Sequence, residues 1–240
     1  MGLEHGILKA MSYRYLLFDA DDTLFDFAKA QRVALERSFL ELKGAYEPTY
    51  LSLYEEVNTM LWQAFEQGKL SQVELKEQRF MVFLERLELN LDPFIFNQLY
   101  LKRLSEGQFL LEGALELIQD LARHCKMVII TNGLKEVQRP RLSTSLLMPY
   151  FEGLIISDEL GVAKPNPAIF DAAFDLLGQP EKAETLMIGD SLSSDMQGGL
   201  NYGIDTCWYN PAAKSNTRGL AVTYEVSSLR EIAAIVGSAT

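Results

Sequence analysis

The chain has 240 residues, 48% of them hydrophobic and 23% charged, which suits one large globular domain or one domain with an insert. Its formal charge of −11 opposes a nucleic-acid polymer or an anionic membrane as partner, yet leaves room for a small anionic ligand in a site whose local field differs. No apolar run approaches the roughly 18 residues of a membrane span, no secretory signal is visible, and Cys125 and Cys207 read as small core residues, so a cytoplasmic, reducing location is expected.

Residues 1–10 have neither a charged front nor a long apolar core, and Met11 follows them directly; they read as an N-terminal extension or a cloning remnant. Tyr13–Phe18 is the first candidate strand. Four stretches with apolar residues at three- and four-residue spacing follow, Phe27–Leu42, Thr49–Glu66, Ser71–Leu89 and Asp92–Leu104. Breaks fall at Gly44, Gln67-Gly68 and Asn90 to Pro93, and Ser71 with Glu74 fits a capping box. After residue 110 the pattern alternates. Strands are expected at Met127–Ile130, Leu154–Ile156, Leu186–Ile188 and Thr206–Tyr209, with a weaker one at Ala221–Tyr224. Helices are expected at Ala114–His124, Glu136–Leu146, Pro167–Leu177, Ser193–Asn201 and Ser228–Val236. Apolar strands separated by helices imply a parallel sheet covered on both faces. The fold class is therefore α/β, and the all-helical segment 27–109 reads as an insertion into a domain formed by residues 11–26 and 110–240.

In open α/β sheets ligands bind beyond the carboxyl ends of the strands. The first strand runs into Asp19 and Asp21, whose i, i+2 spacing on an extended backbone would face both into one pocket. Two anions so close repel unless a cation or a shared proton offsets the cost. The second strand ends in Thr131-Asn132-Gly133, and Leu186–Ile188 ends in Gly189-Asp190-Ser191 with Asp195 beyond. Lys164 stands just ahead of a helix in Gly161-Val162-Ala163-Lys164-Pro165-Asn166-Pro167. Each has a plain structural reading: Asp22 and Asp195 as cap or turn residues, Thr131-Asn132-Gly133 as a turn, Lys164 as a solvated loop lysine. Neither His5 nor His124 belongs to a ligand cluster, which argues against a histidine-based metal site or triad.

Asp19-Ala20-Asp21-Asp22-Thr23, Thr131, Lys164 and Gly189-Asp190 with Asp195 stand in the order of the four motifs of the haloacid dehalogenase superfamily. The chain resembles the phosphatases of that superfamily that carry a helical cap after the first motif, over nearly all of residues 11–240. The resemblance implies a Rossmann-like core with a helical cap, with Asp19 as nucleophile forming an aspartyl-phosphate and Asp21 as general acid and base. It further implies Mg²⁺ held by Asp19, the backbone carbonyl of Asp21 and Asp190, with Asp195 supporting from one layer out. Thr131 and the amide of Asn132 would bind phosphoryl oxygens, with Lys164 supplying positive charge. Asp21 separates phosphoryl transfer from dehalogenation, because a dehalogenase needs no proton donor there. A Schiff-base phosphonate hydrolase would need a cap lysine, and Lys29, Lys43, Lys69 and Lys76 read instead as solvated.

The opening Phe18-Asp19-Ala20-Asp21-Asp22-Thr23-Leu24-Phe25-Asp26-Phe27, the Gly161–Asn166 run, Leu61-Trp62, Gln67-Gly68-Lys69-Leu70, Arg79-Phe80 and Thr206-Cys207-Trp208-Tyr209-Asn210 are similar to bacterial pyrimidine 5′-nucleotidases that clear non-standard nucleotides. That similarity implies a nucleoside monophosphate substrate such as UMP, dUMP or dTMP. A sugar-phosphate phosphatase or phosphomutase of the same superfamily is the alternative, and a silent phosphate-binding regulator is a third reading that the intact acidic motifs weigh against. Trp62, Phe65, Arg79 and Phe80 are conceivable contacts for the leaving group, and their helical spacing fits packing within the cap equally well.

Overall fold

The computed structural model describes residues 13–237. Six parallel strands form one sheet: β1 (Tyr15–Phe18), β2 (Lys126–Thr131), β3 (Gly153–Ile156), β4 (Thr185–Gly189), β5 (Asp205–Tyr209) and β6 (Tyr224–Val226), in the spatial order β3-β2-β1-β4-β5-β6. The central strands are buried on both faces, as a parallel sheet under two helical layers requires, and their side chains alternate between two cores. Leu16, Phe18, Met127, Ile129 and Ile188 join one core; Leu17, Val128, Ile130 and Met187 join the other.

The first core is covered by α5 (Ala114–Leu121) and α10 (Leu229–Val236). The second is covered by α8 (Pro167–Leu177), which is capped by Asn166, opened by Pro167 and ended by Gly178 in a left-handed conformation. Two short connections complete this part, α6 (Lys135–Ser143) after β2 and α7 (Ser157–Leu160) after β3. The chain leaves β1 to one side for β2 and β3, then returns past β1 to β4, so the order reverses beside β1. That reversal opens a crevice at the carboxyl ends of β1 and β4.

Between β1 and β2 lie α1 (Phe27–Lys43), α2 (Thr49–Glu66), α3 (Gln72–Arg86) and α4 (Pro93–Ser105). Asp26 caps α1, Asp92 caps α4, and the Ser71–Glu74 capping box starts α3 as the sequence predicts. These helices share a core rich in aromatic rings, including Phe39, Tyr54, Phe80, Phe83, Phe96 and Tyr100. That core continues onto Leu134 and Val137, where α4 packs on α6. The segments entering and leaving the helical insert run side by side: Asp26 N–H donates to Phe109 O at 2.9 Å, and Leu111 N–H donates to Leu24 O at 3.0 Å.

Several sequence expectations shift, and the helices expected at Ser71–Leu89 and Ala114–His124 end early, at Arg86 and Leu121. The last strand lies at Tyr224–Val226, downstream of Ala221–Tyr224. The helix expected at Ser193–Asn201 begins as a wide π-turn over Leu192–Met196 and becomes α9 (Gln197–Tyr202), ended by Gly203. The helix expected over Glu136–Leu146 stops at Ser143, three residues after Pro140. Residues 1–10 lie outside the described residues, as does the start of the predicted first strand's approach, Met11.

Candidate active site

Asp19 directly follows β1 and is buried. Its Oδ1 accepts a hydrogen bond from Lys164 Nζ at 2.5 Å. The same ammonium donates to Ile130 O at 2.6 Å and lies 2.7 Å from Asp195 Oδ1, so its three N–H groups meet three oxygens. The lysine is buried, not solvated. Asn132 anchors it through a reciprocal pair: Asn132 Nδ2 donates to Lys164 O at 2.9 Å, and Lys164 N–H donates to Asn132 Oδ1 at 2.8 Å. The Asn132 side chain is thus committed to the lysine loop.

Asp21 does not follow Asp19 along an extended strand, because β1 ends at Phe18 and the chain turns. Leu24 and Phe25 both return their N–H groups to Ala20 O at 3.0 Å, and Asp22 adopts a left-handed φ of 58°. Both carboxylates still line one cavity, but different cations hold them. Asp21 Oδ1 is paired with Arg141, and its Oδ2 accepts from Gln138 Nε2 at 2.6 Å. Gln138 Nε2 also lies 3.2 Å from Thr131 Oγ1, which accepts from Gly133 N–H at 3.2 Å. A Cβ on Gly133 would overlap Gln138 Nε2, so glycine there lets α6 approach the turn. Arg141 is buried, with its guanidinium 5.5 Å from the Phe25 ring centre and 5.8 Å from that of Phe27. Asp22 accepts from Phe27 N–H at 3.2 Å, while the cap of α1 is Asp26.

At the end of β4, Asp190 O accepts from Trp208 Nε1 at 2.8 Å, which fixes the loop that presents its carboxylate. Asp195 is buried, and its Oδ2 accepts from Ser191 N–H at 3.0 Å. It is not the helix cap, a role taken by Ser191, whose side chain accepts from Ser194 N–H. A Cβ on Gly189 would overlap the Asp195 carboxylate, so the strand must end in glycine for the two to coexist.

Asp19, Asp190 and Asp195 each bring one carboxylate oxygen within 4.8 Å of the others. Burial raises Asp19 well above the ordinary carboxylate range, opposed by Lys164 and reinforced by Asp195 and Asp190. Burial, then Asp195 and Asp22, pushes Asp190 up to about 7. Lys164 moves the other way: burial alone would lower it, but Asp19 and Asp195 raise it above its usual value. Three carboxylates therefore converge on Lys164, with Lys214 adding positive charge that acts on Asp190, so negative charge stays in excess. An all-oxygen set with excess negative charge fits a hard divalent cation such as Mg²⁺.

Residues 13–203 match the family of haloacid dehalogenase-like hydrolases. The chain belongs to this family. It is 37% identical to the pyrimidine 5′-nucleotidase YjjG of Escherichia coli (strain K12), over 92% of this chain and 97% of that protein. It is also 37% identical to the pyrimidine 5′-nucleotidase PynA of Streptococcus pneumoniae (strain ATCC BAA-255 / R6), over 92% and 94% of the two chains. The magnesium-bound crystal structure of the HAD-hydrolase YfnB from Bacillus subtilis matches with a TM-score of 0.89 at 37% identity, covering 94% of this chain and 99% of that one.

In this haloacid dehalogenase-like hydrolase the helical insert closes the far side of the cavity, whose volume is about 270 Å³. Asn58, Trp62 and Arg79 line it together with Asp19 and Asp21. Phe80 is instead packed among the aromatic rings of the insert, and Phe65 borders a separate depression beside Pro165. Sequence reading missed Gln138, Arg141 and Asn58. Gln138 and Arg141 sit three apart on α6 between apolar Val137 and Leu142, a pattern that marks polar groups turned toward a buried site. Asn58 carries no such signal. Lys76 is not free: it reaches across to Glu136 at 3.1 Å and Asp158 at 3.4 Å. No helix among the described residues is long and apolar enough to cross a membrane.

Proposed function

We propose that the chain is a divalent-metal-dependent phosphohydrolase of nucleoside 5′-monophosphates, with pyrimidine nucleotides as the preferred class. The observation that carries this reading is the division of labour in one cavity. One carboxylate, Asp19, is ion-paired to buried Lys164 beside Asp190, and a second, Asp21, is held apart by Arg141 and Gln138. Likeness to YjjG and PynA over nearly the whole chain supports the substrate class.

In this mechanism Asp19, held in its carboxylate form by Lys164 against the effect of burial, attacks phosphorus, forming an aspartyl-phosphate as the bond to the nucleoside 5′-oxygen breaks. Asp21 gives its proton to that leaving oxygen. A water then attacks the phosphorus, Asp21 takes its proton, and the bond to Asp19 breaks to release phosphate. Lys164, the Thr131 hydroxyl and the backbone amide of Asn132 counter the charge on the phosphoryl oxygens. Asp19, the Asp21 carbonyl and Asp190 would hold Mg²⁺, with Asp195 orienting Lys164 and the Ser191 loop. Bound there, the ion neutralises the carboxylate cluster and screens the substrate's charge. Residues 27–109 act as a cap that excludes water and contacts the leaving group.

The test is a purified-protein screen of UMP, dTMP, glucose phosphates and phosphoglycolate with Mg²⁺, ranked by kcat/KM. Pyrimidine nucleotides should head the ranking, and Asp19→Asn should lose about 10³-fold or more in kcat with its fold retained. A sugar phosphate at the head would reassign the substrate. Retention of most activity in Asp19→Asn would remove the mechanism.

A further inference from the structure

The cap side of the cavity holds two polar side chains that the chemistry at Asp19 does not use. Asn58 on α2 is buried at 9% exposure, and its Oδ1 has no hydrogen-bond partner in the protein. Its Nδ2 donates to Gln31 Oε1 of α1 at 3.3 Å. Asn58 lines the cavity, and Oδ1 is the side-chain polar atom it has left without a partner. Arg79 on α3 is 3% exposed and donates to Asn97 Oδ1 at 2.8 Å, while its Nε–H is unpartnered. Its guanidinium lies against the Tyr100 ring, 5.1 Å from the centre. Burying a polar group without a partner is costly, and Asn58 and Arg79, which both line this cavity, leave one acceptor and one donor unsatisfied beside it. Trp62, one helical turn beyond Asn58, lines the same wall and offers an aromatic surface.

Resting on the nucleotidase reading, we propose that Asn58 and Arg79 are specificity-determining residues that recognise the imide edge of a uracil or thymine base. That edge carries one donor, N3–H, between two carbonyl acceptors. Asn58 Oδ1 accepts the N3–H, and Arg79 donates to the adjacent carbonyl. Cytosine presents a bare acceptor at N3, which would set two lone pairs against each other at Asn58. A site built to hydrogen-bond a substrate group discriminates strongly against analogues that lack it.

The wild-type enzyme provides the first arm: kcat/KM for UMP should exceed that for CMP and for N3-methyl-UMP by about tenfold or more. The second arm compares UMP with acetyl phosphate, whose leaving group has no ring. In Asn58→Leu and in Arg79→Lys the ratio of kcat/KM for UMP to that for acetyl phosphate should fall by about tenfold. Equal use of UMP, CMP and N3-methyl-UMP by the wild type overturns the inference whatever the variants do. An unchanged ratio also overturns it, as does an equal loss on both substrates, which would place Arg79 on the transferred phosphoryl group. Turnover of acetyl phosphate without any nucleotide turnover overturns the nucleotidase reading itself, and this inference falls with it.

Discussion

Arg141 brings a guanidinium into a fully buried position on α6 and sets it against Asp21, which keeps 24% of its side chain exposed to the cavity. Gln138 holds the other carboxylate oxygen. Removing one partner of a buried ion pair usually costs about 3–5 kcal/mol, because the other charge is left uncompensated, and the contact of Asp21 with the cavity lessens that cost here. Orientation of the carboxylate does not survive the exchange. Arg141→Met should therefore lose about 2–4 kcal/mol of stability and, on the proposed role of Asp21, tenfold to a hundredfold in kcat, roughly the scale of a misplaced proton donor. Chemical denaturation and steady-state kinetics would check both halves; an unchanged kcat would show that Asp21 needs no clamp. Asp190 yields a second prediction at this scale. Its pKa is pushed up to about 7, chiefly by burial, against an unfolded value of 3.8. The folded protein then binds more protons than the unfolded one between those values, so in the absence of metal stability falls as pH rises across that window. A cation held by Asp190 competes with that proton, so Mg²⁺ should raise the melting temperature more at about pH 8 than at about pH 5.5. An equal Mg²⁺ shift at both would mean that the metal binds elsewhere.

Secondary elements were readable wherever a local device marked them. α2 and α8 run over Thr49–Glu66 and Pro167–Leu177, the spans that their apolar spacing predicts, and the Ser71–Glu74 box opens α3. The five stronger strands appear because a parallel sheet buries both faces and leaves continuous apolar runs such as Val128–Ile130. What escaped was decided by contacts distant in sequence. The π-turn over Leu192–Met196 brings Asp195 onto Lys164, an arrangement absent from helical periodicity. The side chains at the strand ends were legible because the sheet delivers its polar residues there. Their partners were less so. Gln138 and Arg141 reach Asp21 from 117 and 120 residues away, and Asn132 proves to be the anchor of a lysine in another loop. Asp19 and Asp21 share the cavity although the strand argument for it fails, because the turn after Phe18 separates them toward two different cations.

At the scale of the whole molecule, the insert and the α/β part meet through three kinds of contact. Paired segments at Phe25 and Leu110 form the connection, and α4 seats on α6 through an apolar contact that includes Leu134 and Val137. Lys76 adds the electrostatic part. It spans from α3 to Glu136 at the start of α6 and to Asp158 on α7, and Asp158 is itself fixed by accepting Lys135 N–H at 3.0 Å. If residues 27–109 act as the proposed cap over the cavity between Asp19 and the wall of Asn58, Trp62 and Arg79, loosening this seam would widen it. Such partly exposed pairs are worth about 0.5–1 kcal/mol, too little to hold the fold but enough to bias closure. Lys76→Ala should therefore raise KM for the nucleotide by roughly twofold to fivefold, leave kcat within about twofold, and shift unfolding by less than about 1 kcal/mol. Salt gives an independent check, because exposed charges separated by solvent are screened over about 8–10 Å near physiological ionic strength. Added NaCl should raise the wild-type KM toward that of Lys76→Ala while changing the variant less. If both enzymes respond to salt in parallel, the effect belongs to the anionic substrate and its site, and the Lys76 bridge plays no part in closure.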